Sequence, residues 1–284
     1  MKLMNKIFSN LLFIFFIAAC SHNAFDEQRA FQYVATQVAF GPRIPGSIGS
    51  QNTQKFISDE ITKHGWIIEK QEFIHLGTNV TNIIAKNTTE PPSIIIGTHY
   101  DTRAISDRDP DPNLQDSPVP GANDGASGTA VLLELSRHLL VHENSIWLVF
   151  FDAEDQGKLG DWDWSIGAHY FVENLSFLPD EVIIIDMIGD ADLNIYYEAN
   201  SSNLISEQIW TKAHQLGYAD SFIKDIKYAI IDDHLPFVNQ GIPSVLLIDL
   251  DYEKWHTTQD DLYHISAQSL GKVGTVLLAY FDTK

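Results

Sequence analysis

The stretch "IWLVFFDAEDQG" (Ile146–Gly157) sets six apolar residues directly before Asp152, Glu154 and Asp155. A short apolar run bounded by polar residues reads as a strand buried on both faces, the kind found inside parallel sheets. Three carboxyl groups delivered to its end repel one another, because like charges brought together raise each other's pKa. The pattern recurs in "SIIIGTHYD" (Ser93–Asp101), "EVIIIDMIGD" (Glu181–Asp190) and "IPSVLLIDLD" (Ile242–Asp251). Each is an apolar run with an acid or a histidine at its carboxyl end.

Helical patterns fill the spaces between these runs. Phe31, Val34, Ala35 and Val38 are spaced for one helix face ahead of the Gly/Pro loop "GPRIPG", and Phe56, Ile57 and Ile61 mark a second helix that stops at Gly65. "WIIEKQEFI" and "TNIIAK" read as further strands. "GTAVLLELSRHLL" (Gly128–Leu140) predicts an amphipathic helix and "SAQSLGKVGTVLLAYF" (Ser266–Phe281) a closing one. Strands alternating with helices predict an α/β fold, a three-layer sandwich whose central, mostly parallel twisted sheet is flanked by helices. Ligands of such sheets collect beyond the carboxyl ends of the strands, which is where the polar tips lie. The loop from Ala104 to Pro120, rich in Asp and Pro, is read equally as a cover for that edge or as a solvated connector.

The first residues stand apart from the fold. Lys2 and Lys6 precede "LLFIFFIAA" (Leu11–Ala19), too short to span a bilayer but typical of an export signal. The string "IAAC" resembles a bacterial lipobox, which implies cleavage before Cys20, lipidation of that cysteine, and a cell-envelope location. Ser21, in place of Asp, fits the outer membrane by the same resemblance. Residues 1–19 are therefore expected to be a lipoprotein signal peptide and 20–284 a single domain. Cys20 is the only cysteine in the chain, so the lipidated protein has no thiol for a disulfide.

Losing Lys2 and Lys6 would deepen the formal net charge of −20 by two, to −22. Such a surface repels phosphate backbones, and no basic patch offsets it, so nucleic acid is excluded as a partner. A chain of about 260 residues buries enough apolar surface to fold without staples, and a monomer is expected. There is no internal repeat or low-complexity tract.

Seven candidate groups sit at successive strand ends. His99 and Asp101, two residues apart, leave one face of their strand together; a carboxylate so placed can orient a metal-bound imidazole. Asp124 lies in the glycine-flanked turn "GANDGASG", Glu154 and Asp155 end the next strand, Asp186 ends another, and His256 sits in "KWHTTQDD". A lone strand-end Asp is more often a cap or turn residue. Together, carboxylates and imidazoles form a ligand set that Zn²⁺ accepts, and a cation removes the repulsion among them.

In order and spacing, "GTHYDTR", "PGANDGASGTAVLLEL", "FFDAEDQG", "DMIGD" and "WHTTQDD" resemble the zinc-dependent aminopeptidase family M28 across most of the chain. The resemblance implies a fold of the zinc-aminopeptidase, phosphorylase/hydrolase-like type. It implies that Asp124, Asp155 and His256 hold zinc, that Glu154 is the general base, that His99 with Asp186 completes a second metal site where one exists, and that Asp101 orients His99. Within the family, "DDHLPFVNQGIPSVLLI" followed by "WHT" looks like the animal-type glutaminyl-peptide cyclotransferases, which carry a single zinc. This branch assigns Asp232 to a hydrogen-bonded pair with Asp186 near the leaving group, and Trp255 to the substrate pocket. It also places a tryptophan soon after the catalytic Glu, for which Trp164 is preferred over Trp162. The chain departs from the animal enzymes in having Asp155 where they have Glu and in lacking their nearby cysteine pair.

Plainer readings accompany these assignments. Trp162 and Trp164 could plug a gap at a loop base, Asp232 or Asp233 could cap the short helix that follows, and His234 is expected to be structural. His64, His138 and His142 are read as surface residues. The Asn-x-Ser/Thr matches at Asn87 and Asn200 carry no weight in a bacterial lipoprotein. The resulting expectation is cyclisation of N-terminal glutamine of peptides, with a dinuclear aminopeptidase as the alternative and a non-catalytic binding module of the same fold last. One zinc ion is expected in the first case and two in the second.

Overall fold

The computed structural model describes residues 25–284. The export signal and Cys20 lie outside the described residues. Among those described, no helix is long and apolar enough to cross a membrane.

Two helices open the fold, α1 (Glu27–Ala39) and α2 (Ile48–Lys63), followed by strands β1 (Ile67–His75), β2 (Thr78–Lys86) and β3 (Ile94–His99). Then come α3 (Ala126–Leu139), β4 (Ile146–Phe151), α4 (Ile166–Glu173), β5 (Glu181–Asp186), β6 (Ile195–Glu198) and α5 (Asn203–Gln215). The chain closes through β7 (Phe222–Tyr228), α6 (Leu235–Asn239), β8 (Ser244–Ile248) and α7 (Ala267–Phe281). The main sheet runs in the order β1-β2-β4-β3-β5-β8. Strands β4, β3, β5 and β8 are mutually parallel, while β2 pairs antiparallel with both β1 and β4. Strand order reverses around β3, with β4 on one side and β5 on the other, and a crevice opens beyond the carboxyl ends at such a switch point.

Residues of β3, β4 and β5 are buried throughout, as their unbroken apolar runs require. Alternate side chains feed two cores. Ile94, Ile96, Leu148, Phe150, Ile183 and Ile185 meet the helices α1, α3, α5 and α7, whereas Ile95, Val149, Phe151, Val182 and Ile184 meet α4 and α6. These are the three expected layers.

The helix expected to be amphipathic is covered on both faces: α3 is buried from Ala126 to Ser136, and exposure begins only at Arg137. It lies between the sheet and both α1 and α7, so it has no solvent face to keep polar. Glu134 survives in this setting because it pairs with Arg29 at 2.9 Å. A small second sheet of β6 and β7, in parallel, was not anticipated. Its strand β7, FIKDIKY, is mostly exposed and lacks the apolar pattern that marks the main strands.

Candidate active site

Of the three acids in the opening stretch, only two reach the crevice. Asp152 instead serves the end of the β2–β4 pairing, inside the sheet: its carboxyl accepts the backbone N–H of Thr81 at 3.0 Å and of Ala153 at 3.0 Å, while Asn82 Oδ1 accepts the Asp152 N–H at 3.1 Å. These side-chain bonds extend the β2–β4 ladder past its last backbone pair. Burial, with the charge of Asp101 second, raises Asp152 to about 8, so the group is a neutral acid at pH 7.

The chain then turns sharply. Ala153 takes a positive φ of 58° and brings Glu154 and Asp155 to the site. Asp101 holds that turn, accepting the N–H of Glu154 at 3.0 Å, of Asp155 at 3.2 Å and an amide N–H of Gln156 at 3.1 Å. It also faces His99 Nδ1 at 3.3 Å, which is the orienting contact expected from the sequence. Its hold on the Glu154 turn was not foreseen.

Asp124 is fixed from two directions. Asp260 accepts the N–H of Asn123 at 2.8 Å and of Asp124 at 3.1 Å. From beneath, the fully buried Arg43 donates to the carbonyls of Tyr100, Pro120, Gly121 and Asp124. Desolvation lowers the Arg43 guanidinium to about 10, which leaves it cationic at neutral pH beside three buried acids. Neither Arg43 nor Asp260 was given a role from sequence, since a lone Arg in a Gly/Pro loop carries no signal of burial.

Five candidate side chains converge in two groups that share Asp124. Ligand atoms of Asp124, Asp155 and His256 lie within 4.8 Å of one another, as do those of His99, Asp124 and Asp186. His256 Nε2 is 3.0 Å from Asp155 Oδ1 and 3.8 Å from Asp124 Oδ2. His99 Nε2 is 3.0 Å from Asp186 Oδ1 and 3.1 Å from Asp124 Oδ1. Both Asp155 oxygens and His256 Nε2 are buried without a hydrogen-bond partner. Near-contact between atoms not aligned to share a proton is the arrangement of ligands aimed at a common cation, so the donor set fits a metal ion of the zinc type. His256 itself has φ 59°, and Met187, directly after Asp186, has φ 43°. Left-handed non-glycine residues of this kind cluster where function over-determines the backbone.

The electrostatics follow from this crowding. Burial, then the Asp124 charge, raises Asp155 to about 6. Desolvation opposes protonation of His256, but Asp155, Asp107 and Asp124 outweigh it and lift the ring to about 9. Glu154 is held well above the usual carboxylate range by burial, against the pull of His99 and with the help of Asp232, Asp155 and Asp233.

Asp232 is raised likewise, by burial and then by Asp186. It does not cap α6, whose N-cap residue His234 makes no side-chain capping bond. Nor does Asp233, whose carboxyl oxygens are buried without hydrogen-bond partners; burial pushes this group up to about 8. His234 is structural as expected, paired with the buried Glu198 at 3.1 Å.

A cavity of about 220 Å³ opens onto this floor. Trp164, Met187, Ile230, Leu250 and Trp255 wall it above Glu154, Asp155 and Asp232. Trp164 lies nearly parallel to the His256 ring, 6.1 Å away, and Trp255 packs on the same ring at 4.2 Å. Gly157 is needed here, because a Cβ would overlap the Trp164 indole. Trp162 takes the plainer role, filling a small cluster with Val80, Ala153 and Ile166 and packing against His75.

The Ala104–Pro120 loop is no loose connector. Arg108 N–H donates to the His256 carbonyl at 3.2 Å, and Asp109 accepts from Thr258 N–H at 2.9 Å. The histidines read as surface residues are half-buried instead. His64 Nδ1 meets Ser136 Oγ at 2.6 Å, His138 lies 3.4 Å from Glu134, and His142 Nε2 meets the Phe281 carbonyl at 3.1 Å.

The model of Peptidase family M28 matches residues 79–281, which carry every candidate metal ligand, Glu154, Asp232 and both pocket tryptophans, though not Arg43. The chain belongs to family M28. A glutaminyl cyclase of Porphyromonas gingivalis superposes with a TM-score of 0.86 at 30% identity, over 92% of this chain and 99% of that one. A Zn-dependent exopeptidase of Parabacteroides distasonis gives the same TM-score, identity and coverage. Aminopeptidase YwaD of Bacillus subtilis is 31% identical over 211 residues, 68% of this chain. This M28 chain spans only 41% of the length of that aminopeptidase. Both chemistries considered from the sequence are thus represented among its relatives.

Proposed function

We propose that this M28 protein is a zinc-dependent glutaminyl-peptide cyclotransferase, converting N-terminal glutamine of peptides to pyroglutamate with release of ammonia. The observation that carries this reading is the pocket. It is smaller than the roughly 300–1,000 Å³ of drug-sized ligand sites, it is walled by two indoles, and it ends on Glu154 and Asp232. Such a space suits one inserted side chain better than an extended peptide.

Asp124, Asp155 and His256 would hold the zinc, which supplies Lewis acidity toward a carbonyl oxygen. The substrate's own α-amine attacks the glutamine side-chain carbonyl, so proximity is built into the five-membered ring that closes. Glu154 takes a proton from the amine and gives it to the departing nitrogen, so that the new C–N bond forms, the old one breaks, and ammonia leaves with no net proton change. A carboxyl group raised toward neutrality exchanges protons in both directions. Asp232, also raised, can donate a hydrogen bond near the leaving group, beside Asp186. Trp164 and Trp255 hold the side chain and exclude water.

One observation favours a second reading, a dinuclear aminopeptidase. His99 and Asp186 face Asp124 in a complete second group, so two metals and Glu154 could activate water for attack on the first peptide bond. A binding module without chemistry is least supported, since ligands and base are all present and assembled.

Incubation with glutamine-initiated and leucine-initiated peptides separates the readings by mass. Loss of ammonia without chain shortening is expected; release of free leucine overturns the cyclase assignment. Chelation should abolish turnover, and Glu154→Gln should lower kcat by about 10²–10⁴-fold while zinc remains bound. A fully active Glu154→Gln protein removes Glu154 from the mechanism.

A further inference from the structure

His256 is the metal-ligand candidate whose own backbone takes a positive φ, 59°, and its ring must be held by something else. Nε2 faces Asp155 and Asp124, so the remaining nitrogen decides its orientation. Nδ1 lies 3.3 Å from Asp107 Oδ1. Asp107 belongs to the Ala104–Pro120 loop, far from His256 in sequence, and no motif singles it out.

Asp107 is itself clamped. Arg103 donates from Nε to Oδ1 at 2.9 Å and from Nη2 to Oδ2 at 2.7 Å, the two-pronged geometry that fixes a carboxylate plane. The other face of the guanidinium is committed as well. Arg103 Nη1 donates to the carbonyls of Asp155 and Gly157 at 3.2 Å each, and its Cζ sits 5.1 Å above the Trp164 ring. One chain of contacts therefore runs from Trp164 and the Asp155 turn through Arg103 and Asp107 to the His256 ring. The Arg108 bond to the His256 carbonyl and the Asp109 bond to Thr258 pin the backbone of the same two segments together.

We propose that Asp107 is a positioning residue that accepts a hydrogen bond from His256 Nδ1, leaves Nε2 free for the metal, and is locked in place by Arg103. A carboxylate on the far nitrogen of a ligating imidazole fixes its tautomer and raises its basicity, and removing such a partner weakens metal binding by about 10–100-fold. The inference rests on Asp124, Asp155 and His256 holding zinc, but not on which reaction follows.

The experiment is zinc binding to the purified soluble protein, stripped and titrated with zinc against a chromophoric chelator, with no peptide present. The Asp107 side chain is 37% exposed, so Asp107→Asn should keep the fold, checked by circular dichroism and melting. Its zinc Kd should rise about 10–100-fold, and Asp107→Glu should recover part of the loss. Asp111→Asn, in the same loop but with a side chain that accepts from Asn113 and reaches neither Arg103 nor His256, should bind as the parent does. A parental Kd for Asp107→Asn, or equal weakening by Asp111→Asn, overturns the role of Asp107 alone. Failure of the parent to bind zinc overturns it together with the proposed function.

Discussion

Asp152 and Asp155, three residues apart, show how far one residue type diverges when its surroundings change. Asp155 lies with its oxygens unpartnered among other candidate ligand atoms, where a bound cation would resolve its charge. Asp152 has no such recourse and stays protonated up to about 8, bonded to two backbone N–H groups. The consequence for stability has a definite sign. The unfolded group ionises near the ordinary aspartate value of 3.8, whereas the folded group keeps its proton to about 8, so the folded state binds more protons between these values. Stability from this residue is therefore full at low pH and lost as pH rises through that window. Asp152→Asn removes the titration but turns an amide N–H₂ toward backbone donors, at about 1–3 kcal/mol. Denaturant melts at pH 5 and pH 8 should show the variant less stable at pH 5, with the gap narrowing at pH 8. A gap independent of pH would mean that Asp152 is ionised in the folded protein. At this scale residue chemistry at the strand ends picked out the candidate ligands, and the family resemblance supplied their roles together with Asp232, Trp164 and Trp255. Their partners Arg43, Asp107 and Asp260 went unread, because their roles depend on burial and on contacts distant in sequence.

At the scale of elements, the apolar runs with polar ends were legible because a fully buried strand admits little else. Helix α3 was located correctly and its environment misjudged, since a periodic pattern records which face is apolar but not how many layers cover it. The turn before α3 shows what local geometry adds. Gly125 has φ 90°, and a Cβ there would overlap the Asp101 carbonyl oxygen. Gly125→Ala should cost about 1–3 kcal/mol in unfolding free energy and displace Asp124, weakening zinc binding as well. Parental stability with parental zinc affinity would show that the turn relaxes freely. Strand β7 escaped sequence reading for the opposite reason: it pairs only with β6 and is mostly solvent-exposed, so no burial pattern was written into it.

Across the whole molecule, the two metal groups draw on β3, the turn before α3, the turn after β4, the end of β5 and the loop after β8. A cation bound there ties together segments that the unfolded chain would scatter. Binding to the folded state alone stabilises it by RT ln(1 + [L]/Kd), about 2.7 kcal/mol at a hundredfold excess over Kd. Urea midpoints with excess zinc should exceed those with a chelator accordingly. Identical midpoints would mean that these side chains hold no ion when folded.

The sequence by itself determined the α/β class, where the main strands fall along the chain and the chemical kinds of residue at their ends, because buried strands and metal-ligand sets each allow few residue types. Only the tertiary structure decided which acids meet. It sent Asp152 to the end of the β2–β4 pairing and Glu154 and Asp155 to the crevice, set Trp164 rather than Trp162 in the pocket, and brought Asp107 to His256. Those outcomes depend on backbone turns with positive φ and on contacts between segments remote in the chain, where distance, not residue identity, fixes the interaction.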